Sequence, residues 1–204
     1  MALHVNKIKV AVISATMLVL VLACRLNSNS ETILISNDKL FSQTERLSEL
    51  MIEFEAFRTA VSQRSVSKTK RFFNFPLEGN DIWYKVIENE TLLEKKLNTP
   101  FTERDFDKYF DVLFPKAFQF GLSKVDTKQL SDRKSTKTIG FKSKENVHIV
   151  TSYMTASYTG ESLILTVNST LNDTDNQILA EHQDFYCFRF ENKKLIFEKF
   201  YMAG

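Results

Sequence analysis

The stretch NVHIVTSYMTASYTGESLILTVNST, residues 146–170, decides the fold because apolar and polar side chains alternate in it on both sides of Gly160. A period of two is typical of half-buried β-strands, and a glycine between two such runs is typical of a turn. The same pattern continues to the C-terminus. It predicts a meander of strands over Lys137 to Phe141, Asn146 to Ser157, Glu161 to Thr170, Gln177 to Phe190 and Lys194 to Met202.

The chain before this meander has helical periodicity. Apolar residues recur at intervals of three, four and seven from Leu40 to Val61, which predicts one helix of about 25 residues with a single apolar stripe. Asn37 or Asp38 could begin this helix, and Ser42 with Glu45 has the spacing of a capping box. Such a helix needs an apolar surface to pack on, and the sheet would supply it.

Two further regions lie between this helix and the meander. Arg71 to Leu77 and Asp81 to Ile87 are short aromatic and aliphatic runs separated by a turn-forming stretch, which predicts a hairpin or a strand followed by an edge segment. After them, Thr102 and Asp105 have capping-box spacing at the start of a second helical region, and Pro115 permits a new helical turn.

Helices that come first and strands that come last predict an α+β fold, with helices on one face of an antiparallel sheet. The 204 residues, of which 43% are hydrophobic, are typical of a globular protein and not of a disordered or collagenous one. Two cysteines cannot build the disulfide framework of a small secreted module. We therefore predict one α+β domain over residues 38–204, with a long N-terminal helix and a second helical region.

The N-terminus has the pattern of a secretory leader. Lys7 and Lys9 precede the uncharged, mainly apolar stretch Val10 to Ala23, and polar residues follow Cys24. This stretch is shorter than the roughly 20 apolar residues that cross a bilayer core. The pattern predicts a signal peptide over residues 1–23 and a tether over residues 24–37.

The segment Val21-Leu22-Ala23-Cys24 resembles the lipobox of bacterial lipoproteins, in which an aliphatic and a small residue precede a cysteine that is lipid-modified and begins the mature chain. The resemblance implies acylation of Cys24, for example with palmitate. It also implies anchoring in the bacterial cell envelope, on the periplasmic side or at the outer membrane of a Gram-negative cell. The alternatives are plain secretion, which would permit a Cys24–Cys187 disulfide, and an uncleaved anchor. If Cys24 is acylated, Cys187 is the one thiol left, and its aromatic surroundings predict a small buried hydrophobe.

Charge limits the partners. The chain has 27 Lys and Arg, two of which lie in the leader, so the mature chain carries 25 basic and 25 acidic side chains. A neutral chain without a long basic run predicts no nucleic-acid partner. Residues 124–144 hold a local basic excess, which is typical of a solvated connector and could also meet an anionic partner or headgroups.

Several sequence segments, and their order along the chain, resemble the nuclear transport factor two-like (cystatin-like) superfamily of α+β domains. They are Glu55 to Val61, Phe73 to Leu77, Phe101 to Phe114, Phe185 to Phe190 and Lys194 to Met202. The resemblance spans about residues 40–202 and implies a curved antiparallel sheet around the long helix, with a conical pocket. Members of the superfamily use that pocket for isomerisation, dehydration, small-molecule binding or protein contact, so the resemblance alone selects no function.

Two functional hypotheses follow. A pocket enzyme of the ketosteroid isomerase or polyketide cyclase-like type would need a base and oxyanion donors, for which His148 with Tyr153 and Tyr158 are the candidates. His148 on a half-exposed strand would equally face solvent. No metal-ligand or phosphate-loop pattern occurs, and Asn172 to Asn176 fits a polar turn, so we expect neither metal nor cofactor. The favoured hypothesis is a lipid-anchored, non-enzymatic domain that binds a protein or small ligand.

Overall fold

The computed structural model describes residues 37–145, 148–173, 175 and 177–204, with side chains from Thr44 onward except that of Glu145. The chain divides into two compact units, Met1–Thr44 and Glu45–Gly204. The predicted leader, Cys24 and most of the tether lie outside the described residues. The side chains of Asn37, Asp38 and Ser42, where the first helix was predicted to begin, are also outside them.

Seven helices precede the sheet in the described part of the chain. They are α1 (Asn37–Ser62), α2 (Val66–Lys70), α3 (Asn80–Val86), α4 (Glu90–Lys96), α5 (Glu103–Leu113), α6 (Lys116–Lys124) and α7 (Thr127–Arg133). The predicted second helical region corresponds to α5 and α6. Its capping box is confirmed, because the Thr102 hydroxyl accepts from the Asp105 amide while the Asp105 carboxylate accepts from the Thr102 amide at 3.0 Å.

From Thr44 onward, α1 buries the apolar stripe that its periodicity predicts. Leu50, Phe54, Phe57 and Val61 are fully buried at spacings of four, three and four residues. Arg58 donates a 2.8 Å hydrogen bond to the Val125 carbonyl that follows α6. The helix is therefore held in the second unit both by apolar packing and by a hydrogen bond from its flank.

The predicted hairpin before α5 is wrong. Residues Asp81 to Val86 are helical, within α3, and Ile87 caps the helix in an extended conformation. The helix buries Ile82 and Trp83, and the Trp83 ring N–H donates to the Thr99 carbonyl at 2.9 Å. Phe73 makes only an isolated bridge to Phe197. A short apolar run without strict alternation is compatible with either a strand or a buried helix, and here packing against α5 decides for the helix.

Six antiparallel strands form one open sheet. They are β1 (Ser135–Lys137), β2 (Phe141–Glu145), β3 (His148–Tyr158), β4 (Ser162–Asn172), β5 (Ile178–Glu191) and β6 (Lys194–Ala203). The order is β1-β3-β4-β5-β6, and β2 pairs with β3 beside β1. The α+β class and the antiparallel meander are confirmed. The single strand predicted over residues 137–141 is wrong, since these residues join two short strands.

The two faces of the sheet differ. The inner face packs against the helices, and its centre is buried: Met154, Ala156, Tyr158, Leu163, Leu165, Val167, Tyr186, Phe188, Phe190, Leu195, Phe197 and Phe200. Ring contacts join it to the helical layer, as between Phe57 and Phe188 at 4.9 Å and between Phe118 and Tyr186 at 4.4 Å. The outer face is formed by the alternate residues, most of them half-buried or exposed.

Gly121 lets α6 approach the sheet closely. An ideal Cβ at this position would lie 2.7 Å from the Cβ of the buried Met154 on β3. We expect Gly121→Ala to destabilise the protein by about 1–2 kcal/mol, because overpacking outweighs the better helix propensity of alanine. Urea denaturation measures this, with Gly140→Ala as the control, since the nearest atom there is a Thr151 methyl at 3.4 Å. A stabilised Gly121→Ala protein would contradict the close approach.

Candidate functional site

The space between the helices and the sheet is filled by aromatic side chains. Phe73, Phe114 and Phe197 lie with Tyr186 around a residual cavity of about 10 Å³. A cavity of this size holds at most one water molecule. The Tyr186 hydroxyl donates to the Leu113 carbonyl at 2.6 Å, and burial raises the pKa of Tyr186 well above its ordinary value. Among the described residues, this part of the interior has no room for a substrate.

The structure does not bring together the three residues that the sequence suggested as a pocket. His148 and Tyr158 lie on the same face but at opposite ends of β3, about 33 Å apart at the usual strand rise. The Tyr158 hydroxyl donates to the Gly160 carbonyl. Tyr153 lies on the outer face, where the Lys137 ammonium is 3.8 Å from its ring centre. A base and two oxyanion donors at these positions could not act on one small substrate.

The inner face carries a group of polar residues that the sequence analysis did not indicate. We call it the His182 cluster, and it consists of Lys85, Ser152, Ser169, His182 and Asp184. The Asp184 carboxylate accepts from the Lys85 ammonium at 2.5 Å and is 2.8 Å from the His182 Nε2. The Ser152 and Ser169 hydroxyls are hydrogen-bonded to each other at 2.8 Å. The Asp184 side chain is 7% exposed, whereas that of His182 is 46% exposed. The cluster thus runs from a buried carboxylate to an accessible imidazole.

Strand register explains how the cluster assembles. His182 and Asp184 are two residues apart on β5 and share a face, and Ser169 lies directly opposite His182. Ser152 lies opposite Ser169 in turn. The alternation along β5 could have indicated this, because the two polar residues continue the stripe of Tyr186, Phe188 and Phe190. Lys85 could not be placed with them, since it was assigned to a strand instead of α3.

Chemically, the His182 cluster can orient an imidazole and hold a lysine. A carboxylate on one ring nitrogen fixes the histidine, which leaves the other nitrogen to accept or donate a proton. The hydroxyl of Ser169, which lies opposite His182, forms a hydrogen bond with the hydroxyl of Ser152. Over the residues with described side chains, no group of three or more His, Cys, Asp or Glu side chains could hold a metal ion. The cluster can therefore serve as a polar boundary of the core or as an acid–base pair.

Two of the surface clefts formed by the described residues are large enough for a small ligand. One of about 800 Å³ is lined by residues 76–81, 98–100 and 198–200. The other, of about 360 Å³, is lined by Tyr153, residues 168–170, residues 181–183 and the C-terminal Ala203 and Gly204. The second cleft is lined mainly by outer-face residues such as Tyr153, Glu181 and Gln183. The His182 side chain lies with Asp184 on the inner face, so this cleft does not place a ligand at the His182 cluster.

Cys187 is a buried residue of the outer face. It is 4% exposed, and burial raises the pKa of its thiol. The prediction that it is a small buried hydrophobe is confirmed. A raised pKa leaves less thiolate at neutral pH, which is the opposite of what a reactive cysteine needs.

No described helix is both long enough and apolar enough to cross a membrane. Comparisons of the chain with protein-family models, with curated proteins and with solved structures found no match. The class that the described residues define is an α+β domain with an open antiparallel sheet.

Proposed function

We propose that the protein is a lipid-anchored component of the bacterial cell envelope whose α+β domain is non-enzymatic and binds through its surface. The observation that carries this proposal is the filled interior. Its residual cavity of about 10 Å³ is far below the roughly 300–1,000 Å³ of small-molecule pockets. With this part of the described interior filled, exposed side chains are left to recognise partners.

Two resemblances support the proposal. The lipobox-like Val21 to Cys24 at the end of a basic and then apolar leader supports acylation of Cys24. Helices that precede an antiparallel meander are consistent with a nuclear transport factor two-like domain that has a curved sheet. In that proposal, phenylalanine side chains occupy the place of the conical pocket. Several acyl chains would make the attachment effectively permanent, because each buried methylene contributes about 0.8 kcal/mol.

The anchor is tested by labelling with a fatty-acid analogue in a bacterium that processes lipoproteins. We expect the wild-type chain to take up the label and Cys24→Ser to lose it, because the thiol is the atom that would be acylated. Cys187→Ser is the matched control, since the chain has only two cysteines, and it should keep the label. Label that survives in Cys24→Ser, or an unlabelled wild-type chain, would overturn the anchor.

A second candidate is an enzyme of the ketosteroid isomerase or polyketide cyclase-like type. The observation that favours it is the hydrogen bond between His182 and the buried Asp184. Such an enzyme would use His182 as its base, because His148 is not placed with Tyr153 and Tyr158. The filled interior makes surface binding the better-supported proposal.

A further inference from the structure

Basic side chains outnumber acidic ones on the outer face of the sheet, although the two are equal in number in the mature chain. Strand register places eight charged residues on this face, all of them exposed. Six are basic and two are acidic: Lys137, Lys142, Lys144, Arg189, Lys194 and Lys199, against Glu181 and Glu191. A third acid, the exposed Glu198 of the β6 bulge, acts on the outer-face Cys187, and Arg189 forms an ion pair with Glu191 at 3.2 Å, so the face keeps a smaller basic excess. In a neutral mature chain, the rest of the molecule carries the matching acidic excess.

Between the basic residues lies an apolar and aromatic centre. Ile164, Phe185, Ile196 and Tyr201 are half-buried on β4, β5 and β6, and the Phe185 and Tyr201 rings stack at 4.4 Å. The Lys199 ammonium lies 5.8 Å from the centre of the Tyr201 ring. Lysine stems that run over aromatic rings, with the charges at the rim, give the face an apolar centre and a cationic margin.

The helical layer does not account for this face. The helix–sheet contacts of the core reach the inner face, as with Phe57 on Phe188, Phe118 on Tyr186 and Lys85 on Asp184. Of the outer-face residues, Lys199 borders a cleft that residues 76–81 and 98–100 also line. Half-buried isoleucine and aromatic side chains on the opposite face thus have no described helix against them. An apolar centre with a polar rim is the pattern of an interaction surface.

We infer that the outer face lies against anionic phospholipid headgroups of the membrane that carries the anchor. This inference rests on the proposed acylation of Cys24. Lysine and arginine near an anionic membrane surface are attracted to it, while aromatic side chains settle at the headgroup level. An anchored domain meets headgroups at high effective concentration, which favours a bilayer over an acidic protein or a nucleic acid as the partner of these charges.

The test uses the full chain reconstituted in vesicles through its own lipid. An environment-sensitive fluorophore is attached to Thr166→Cys, in the centre of the outer face, in a Cys187→Ser background. The matched control carries the dye on Glu94→Cys, an exposed residue of α4. Emission is compared in vesicles of phosphatidylcholine alone and in vesicles that also contain phosphatidylglycerol, with a headgroup quencher in the membrane.

We expect the dye at residue 166 to be quenched in the phosphatidylglycerol vesicles and released as added salt screens the charges, with no such change at residue 94. Lys142→Glu with Lys144→Glu should reduce the quenched fraction severalfold, since each lysine contributes about a factor of five near an anionic surface. Lys95→Glu with Lys128→Glu, two exposed lysines on α4 and α7, should leave it unchanged.

Equal quenching of the dye at residues 166 and 94 would overturn the inference. So would quenching at residue 166 that is the same with and without phosphatidylglycerol. So would an oligonucleotide that shifts the dye at residue 166 when vesicles do not. Fatty-acid labelling measures the acylation of Cys24 independently of the dye. A labelled chain with no response at residue 166 defeats this inference alone, whereas an unlabelled chain defeats the proposed function on which it rests.

Discussion

Phe57→Ala is expected to destabilise the domain by about 3–5 kcal/mol, the range for removal of a buried aromatic side chain. Phe57 is fully buried in α1, with its ring 5.2 Å from Phe72, 6.1 Å from Phe114 and 4.9 Å from Phe188. These partners follow α2, follow α5 and lie on β5. One ring therefore joins three parts of the fold, and its loss leaves a cavity that no single neighbour can fill. Urea denaturation measures the change.

Ile52→Ala is the matched control for Phe57→Ala. Ile52 is on the same helix, and 64% of it is exposed, so its truncation should cost less than about 0.5 kcal/mol. Helix propensity changes in the same direction in both variants, which separates burial from local effects. Similar losses for the two variants would mean that α1 is not held by its buried stripe.

Asp184→Asn is expected to cost about 3 kcal/mol, because it leaves the Lys85 ammonium with a neutral partner at a site that is only 18% exposed. The other carboxylate oxygen lies 2.8 Å from His182 Nε2, and because asparagine has only one acceptor oxygen, it cannot serve Lys85 and His182 as the carboxylate does. Thermal and urea unfolding should both report the loss. The distance of 2.5 Å between Lys85 and Asp184 makes this a direct ion pair.

The control for Asp184→Asn is Asp111→Asn. Asp111 is also 2.5 Å from a cation, that of Arg64, but both side chains are 60% exposed, so less than about 1 kcal/mol should be lost. The double variant Lys85→Met with Asp184→Leu should recover much of the stability, since apolar residues of similar volume can replace a buried pair. Additive losses in the double variant would argue against coupling between Lys85 and Asp184.

The most accurate predictions were those that rested on a strict pattern or spacing of residues in the sequence. The alternation in residues 146–170 predicted two strands, and the structure has them as β3 and β4 with ends shifted by only one or two residues. The spacing of Thr102 and Asp105 predicted a capping box that forms. Both signals arise from neighbours in sequence, whose geometry depends little on the rest of the chain.

The errors fall where local signals conflict. The run Asp81 to Ile87 is as apolar as a strand, and only its packing against α5 makes it helical as far as Val86. Lys137 to Phe141 has strand composition, but Thr138 makes its side-chain and main-chain hydrogen bonds to Met154, and the strand is split there. Tertiary contacts override weak propensities in short segments.

The pocket residues suggested by the sequence also show that local patterns do not determine contacts between distant segments. His148, Tyr153 and Tyr158 were proposed as the base and oxyanion donors of one pocket, but a strand sends alternate side chains to opposite faces and separates its ends. The His182 cluster joins Lys85 to Asp184 across 99 residues, which no local pattern contains. A grouping of this kind depends on which strand lies beside which helix.

By itself, the sequence determined the α+β class, the antiparallel meander, the buried stripe of α1 from Leu50 to Val61 and the burial of Cys187. Each follows from side-chain periodicity or from the polarity of near neighbours. Only the tertiary structure decided that the interior is filled, that Asp184 holds Lys85 and His182, and that six basic side chains share the outer face. These features depend on strand register and on packing between distant segments, which local chemistry does not encode.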